Sequence, residues 1–219
     1  MIVETCAVPP FLKNGFVVGC EDTGKGVLID PGDEVEDLLA GARRQGLTLE
    51  AVLLTHAHVD HVSGVARVRS ELDAPVYLHS ADQFLYDNAV HMGRLFGLEI
   101  EEPPPVDRYY DQGHEALAFG TCEVRVHHTP GHCPGGVCLQ IGPRGQPGPF
   151  LFVGDTLFAG SIGRTDLPGG DMDTLLRSIR QVLLPLGDEK QVLPGHGEPT
   201  TIGVERRTNP FLNDEVSFR

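Results

Sequence analysis

The chain has 219 residues, with 17 Lys plus Arg against 31 Asp plus Glu, giving a formal net charge of −14. That balance repels phosphate backbones and argues against a nucleic-acid-binding or nuclease role. A content of 40% hydrophobic and 22% charged residues excludes extensive disorder, and no run of about 18 apolar residues provides a membrane span.

The N-terminal MIVETCAVPPF lacks a basic segment before an apolar core, so the expected location is the cytoplasm. GFVVGC and GVLIDPG read as short strands, and Asp33 opens a helical stretch to Gln45 that Gly46 ends. AVLLT follows as a buried strand. SGVARVRSELDAP places Val65, Val68 and Leu72 at helical spacing behind a Ser63 cap, and VYLH is the next strand. Residues 82–106 lack a clear period and end in EEPPPV, which predicts a helical or irregular insertion near the site. CEVRVHH, GVCLQIG and PFLFVG are strands with RGQPG as a turn. MDTLLRSIRQVLL is a helix, QVL a short strand, and a last helical stretch lies near Val204. Two groups of strands with helices between them predict a layered α/β fold in one domain spanning 1–219.

THAHVDH, Thr55 to His61, puts three histidines and an aspartate within six residues. For a chain with 10 His and 16 Asp, that spacing arises by chance in roughly one to two sequences per thousand. Three further apolar strands also end in potential ligands: CEVRVHHTPG before His132, FLFVG before Asp155, and QVLPG before His196. Strand ends of α/β folds form the crevices where ligands sit, so these segments are expected to converge. Seven groups are too many for one tetrahedral ion, and a structural zinc site would be closed and cysteine-rich. Two divalent ions (zinc, iron or manganese) fit the count, with Asp155 as the bridging carboxylate.

The set Thr55–His61, HTPGH (His128 to His132), GDTLF (Gly154 to Phe158) and PGHG (Pro194 to Gly197) resembles the motifs of the metallo-β-lactamase superfamily, in its order and over nearly the whole chain. The resemblance implies a four-layer αββα sandwich. It also implies that His56, His58 and His132 hold a first metal, that Asp60, His61 and His196 hold a second, and that Asp155 bridges them. His128 occupies no ligand position there and is expected to orient a ligand. His79, His91, His114 and His127 match no motif and are expected to be surface or satisfied histidines, with His91, in the insertion, the one that could instead face the pocket. Asp30 is open to two readings, a hydrogen-bond acceptor behind the ligands or a turn-forming Asp before Pro. The five scattered cysteines form no C-x-x-C pair; Cys133, next to His132, is a candidate wall of the site.

AGSIGRTDLPGGD, Ala159 to Asp171, resembles the small glyoxalase II type, or hydroxyacylglutathione hydrolases, and the related persulfide dioxygenases. The first likeness implies a metal-bound hydroxide attacking a thioester such as S-lactoylglutathione, with Asp60 aiming the nucleophile. The larger members carry a C-terminal helical domain whose basic residues grip glutathione; this sequence is expected to lack one. Arg164 is the candidate substrate-binding residue, with pairing to Asp166 or Asp171 as the alternative. The rival enzyme is a one-iron dioxygenase using His56, His132 and Asp155. A lactonase is chemically feasible, and a metal-dependent binding or sensor protein is the non-enzymatic reading.

Overall fold

In chain order the elements alternate between strands and helices. Strands β1 (Ile2–Val8), β2 (Lys13–Cys20) and β3 (Lys25–Ile29) precede helix α1 (Val35–Arg44) and β4 (Thr48–Leu53). Helices α2 (Val59–Val62) and α3 (Val65–Glu71), strand β5 (Val76–Leu78), helices α4 (Gln83–Asp87) and α5 (Ala89–Leu95) and strand β6 (Arg108–Tyr109) complete the first half. The second half holds β7 (Leu117–Phe119), β8 (Cys122–His128), β9 (Val137–Pro143), β10 (Phe150–Gly154), the hairpin β11 (Leu157–Phe158) and β12 (Ser161–Ile162), then α6 (Met172–Ser178), β13 (Gln191–Pro194), β14 (Thr200–Thr201) and α7 (Ile202–Thr208). The computed structural model describes residues 1–111 and 117–213, so His114 lies outside the described residues. Among them, no helix is long and apolar enough to cross a membrane.

Two six-stranded sheets face each other, one ordered β1-β2-β3-β4-β5-β6 and the other β14-β13-β10-β9-β8-β7. Side chains of a strand alternate between faces, so each central strand feeds two cores. Phe16, Val18, Ile29, Leu53, Leu139 and Phe152 meet between the sheets. Their neighbours Val17, Leu28, Val52 and Leu54 face outward and are covered by Leu38 and Leu39 of α1 with Val65 and Val68 of α3. On the far side, Cys138, Leu151, Val153 and Val192 pack under Leu175 of α6 and Ile202 of α7. The layers are therefore helix, sheet, sheet, helix, as the four-layer expectation requires.

Local departures from the sequence reading have local causes. Ser63 does not cap a helix. Its hydroxyl donates to Asp33 at 2.9 Å, while the helical stretch is split into α2 and α3 around Gly64. A Cβ at Gly64 would sit 2.4 Å from the Gly32 carbonyl oxygen, so close packing on the β3–α1 loop sets that break. The long C-terminal helix stops at Ser178 and continues as a π-type turn, Ile179–Leu183. Strand β1 was not expected; it pairs antiparallel with β2 along its whole length. The 82–106 insertion is α4 and α5 followed by extended chain, in accord with the expectation.

Candidate metal centre

Topology brings the motifs to one edge. β8 and β10 are both antiparallel to β9 and so run in the same direction, and β13 is parallel to β10. Their carboxyl ends, carrying His132, Asp155 and His196, thus share one rim of the second sheet. β4, which leads to His56, reaches the same rim from the first sheet, where Val137 N donates to Thr55 O at 2.8 Å. Asn14 of β2 holds the His196 loop from the other side: its side chain donates to the carbonyls of Pro194 at 3.0 Å and Gly197 at 2.8 Å. Gly195 must lack a side chain, since a Cβ there would lie 2.3 Å from Asp155 Oδ1 and 2.7 Å from His61 Cε1.

All seven predicted ligand residues converge. Ligand atoms of His56, His58 and His132 lie within 4.8 Å of one another, and so do those of Asp60, His61 and His196. Asp155 touches both groups: its carboxylate is 3.6 Å from His132 Nε2, 3.4 Å from His61 Nε2 and 3.6 Å from His196 Nε2. Three inward-facing atoms, His56 Nε2, His61 Nε2 and Asp155 Oδ1, are buried without a hydrogen-bond partner. Buried polar atoms are nearly always satisfied, so unpartnered atoms on neighbouring ligand-type side chains fit a cation between them.

The outward-facing ring nitrogens of His56, His61 and His132 are held. His132 Nδ1 donates to the carbonyl oxygen of Arg164 at 2.7 Å, which leaves the Nε2 lone pair pointing inward. His61 Nδ1 donates to Asp30 Oδ2 at 2.9 Å. Thr55 spends its hydroxyl proton on Asp30 Oδ2 at 2.6 Å, so Thr55 Oγ1 accepts from His56 Nδ1 at 3.1 Å. Asp30 therefore stands behind His61 directly and behind His56 through Thr55, and its backbone sits in the left-handed region at φ 48°. Lys13, fully buried, binds the Asp30 carbonyl and the Glu34 carboxylate. Such outer contacts fix both tautomer and ring orientation.

Electrostatics separate the two groups. Burial, and then the neighbouring imidazoles, keep His56 well below and His58 at about 4, so both are neutral. Burial also works against His61, but Asp60, Asp155 and Asp30 overcome it and raise this imidazolium to about 10. Burial would raise Asp155 and Asp60; His61 foremost, with other histidines, holds both carboxyls below their usual range. His56 and His58 are thus poised as neutral nitrogen donors, and the charge that raises His61 is that of the carboxylates around it.

A groove of about 390 Å³ opens over the ligands. Its floor includes His58, Asp60, His132, Asp155 and His196, and its walls come from the β1–β2 turn and from α4 and α5. His91 lines it, the alternative reading for this histidine. Arg164 is at its rim, with the guanidinium engaged by both oxygens of Asp166 at 2.7 Å. Cys133 is a correction: its thiol is buried behind the ligands and donates to Asp82 at 3.1 Å, out of the groove lining. His128 is another. It orients no ligand but bonds the Pro134 carbonyl at 2.9 Å and stacks on His79 at 4.1 Å. His127 bonds Gln140 at 3.0 Å.

Sequence reasoning missed Asp82. It is fully buried and accepts from Ala57 N at 3.2 Å and Gly135 N at 2.6 Å, tying the His56–His58 loop to the loop after His132. Nothing in ADQF distinguishes it from a surface acid. The groove phenylalanines, Phe11, Phe84 and Phe96, belong to segments with no readable period and were missed for the same reason.

Comparison with known proteins agrees with this geometry. Residues 8–196 match the model of the metallo-beta-lactamase superfamily. The hydroxyacylglutathione hydrolase GloC of Haemophilus influenzae is 37% identical over 216 residues, covering 98% of this chain and all of that protein. Two solved structures are also similar: BLEG-1, described as a B3 metallo-beta-lactamase (39% identical, TM-score 0.86, 96% of this chain and 99% of that one), and TTHA1623 in a di-iron-bound form (44% identical, TM-score 0.81, 96% and 100%). The chain belongs to the metallo-beta-lactamase superfamily.

Proposed function

We propose that the chain is a hydrolase with two divalent metal ions, acting on a thioester of the S-lactoylglutathione kind. Members of the superfamily bind divalent metals, often two. In this reading His56, His58 and His132 hold one ion, Asp60, His61 and His196 hold the other, and Asp155 bridges. The observation that carries it is Asp155, within 3.4–3.6 Å of histidines from both groups. Zinc, iron and manganese all suit these donors. Ions bound there supply a water acidified toward neutrality and a polarised carbonyl oxygen.

The protein's own groups orient the reaction. Asp60 borders the groove with its Oδ2 3.1 Å from His196 Nε2, placed to accept a hydrogen bond from the attacking water and aim it. Among the titratable groups lining the groove, only His91 and Arg164 lie outside the ligand set, and Arg164 is paired. A site so poor in acids suits a leaving group that departs unprotonated. A thiolate, with a parent pKa near 8.5, does so; an amine from a lactam does not. That argument favours the activity of the hydroxyacylglutathione hydrolase relative over that of the structure described as a β-lactamase. The same reading treats the described residues as one domain whose groove receives substrate. Five free thiols support a reducing, cytoplasmic setting.

The test is metal content of protein purified without chelator, measured on the sample assayed for S-lactoylglutathione and β-lactam hydrolysis. Two ions per chain with thioester loss is the expected result. One iron per chain, with oxygen consumed on glutathione persulfide and no hydrolysis, would replace this reading with a dioxygenase.

A further inference from the structure

The walls of the groove are built from a different chemistry than its floor. Phe11, from the β1–β2 turn, meets Phe96, after α5, edge to face at 6.2 Å between ring centres. Both line the groove, with Phe84, Leu85, Met92 and Leu167 beside them. Phe84 is 44% and Phe96 49% exposed, and Leu12, next to Phe11, is 58% exposed. Large side chains left in water on both sides of one concave site mark a surface that binds something apolar. Glutathione, by contrast, carries two carboxylates and an ammonium. Arg164 is the only Lys or Arg lining the groove among the described residues, and Asp166 already takes it through two bonds. The overall charge of −14 adds repulsion for anionic carriers.

From this contrast we infer that the groove selects the apolar acyl group of the thioester, a medium-length alkyl or aryl chain seated against Phe11, Phe84, Met92 and Phe96, and that the thiol carrier is held weakly. The inference rests on the thioester reading. The acyl chain enters between the β1–β2 turn and α5, and its carbonyl end lies at Asp60 and His196. Specificity then follows chain length, since each methylene taken from water is worth about fourfold in affinity.

Non-hydrolysable thioethers separate the two ends of the substrate. Binding of S-methyl-, S-butyl- and S-octylglutathione, and of S-butyl- and S-octyl-N-acetylcysteamine, is measured by calorimetry on the metal-loaded protein, with hydrolysis of the matching S-acyl thioesters in parallel. The expected result is a Kd that falls about fourfold per methylene on both carriers, near-equal Kd values for the two octyl compounds, and a shallower series in Phe96→Ser and Phe84→Ser. Equal binding of S-methyl- and S-octylglutathione, with the N-acetylcysteamine compounds much weaker, would overturn it. So would sedimentation showing that these phenylalanines are covered by a second copy of the chain. A steep series without hydrolysis of S-octanoyl thioesters overturns the thioester reading alone, whereas hydrolysis with a flat series overturns the groove inference alone.

Discussion

The floor and the rim of the groove lie side by side and are built by opposite rules. At and beneath the floor, the rings of His56, His61 and His132 are each fixed by a hydrogen bond on their outer nitrogen, with Asp30 holding His61 directly and His56 through Thr55. At the rim, Phe84 and Phe96 are about half exposed, and the Arg164–Asp166 pair stands in solvent. Chemistry needs groups held to within fractions of an ångström, so the floor is over-determined. Selection among chains of similar polarity needs only area and shape, so the rim is lightly held and open to substitution. The contrast predicts steep losses from floor substitutions and graded shifts in preference from rim substitutions.

Asp155→Ala should have the largest effect. It removes the carboxylate that faces both histidine groups, and kcat/KM should fall by at least about 10³-fold, beyond the loss of a single electrostatic donor. Metal stoichiometry should drop with it. If Asp155→Ala kept both ions and most of its activity, the bridging role would be lost from the reading.

Asp30→Asn comes next. The amide keeps the shape but cannot accept from Thr55 N, Thr55 Oγ1 and His61 Nδ1 together, as the carboxylate does at 2.7, 2.6 and 2.9 Å. Metal affinity should weaken about 10–100-fold while the groove stays intact. Competition with a chromophoric chelator would read this directly, and unchanged affinity would mean that the ligand rings are oriented by packing alone.

How far the sequence reveals each region follows from the same contrast. The candidate ligands were legible because metal chemistry admits few residue types and the four motifs sit at strand ends. The α/β class was legible from period-two strands such as CEVRVHH and the helical spacing of Val65, Val68 and Leu72, while the four-layer order came from the family resemblance. Asp82 was not, because its partners Ala57 and Gly135 contribute only backbone N–H groups, which any residue carries. Lys13 carried no reading in the sequence, and β2 buries it against Glu34 and the Asp30 carbonyl. Phe11 and Phe96 are 85 positions apart and acquire a shared role only when β1–β2 and α5 fold to the same side.

Asp82→Ala tests the scaffold beneath the floor. It strands the N–H groups of Ala57 and Gly135 in a dry interior, at about 1–3 kcal/mol each. The denaturation midpoint should fall accordingly, with Asp82→Asn recovering part of the loss through its remaining carbonyl oxygen. An undiminished midpoint for Asp82→Ala would show that the two loops are held together by the ions rather than by this carboxylate.

Asp166→Ala should be the mildest substitution and the sharpest on the rim. Arg164 and Asp166 have side chains 57% and 67% exposed, so breaking the pair should change stability by less than about 1 kcal/mol. The backbone carbonyl of Arg164 still accepts from His132, so the floor is undisturbed. What changes is the guanidinium, which loses its bidentate partner and becomes free to meet a carboxylate of the thiol carrier. KM for a glutathione thioester should fall by less than about fivefold, that for an N-acetylcysteamine thioester of the same acyl group should stay put, and kcat should be unchanged for both. A gain confined to the charged carrier would place carrier recognition in the rim and leave acyl selection with the phenylalanines. An equal effect on both carriers would instead mean that the Arg164–Asp166 pair shapes the groove itself, and the division between floor and rim would have to be drawn further out.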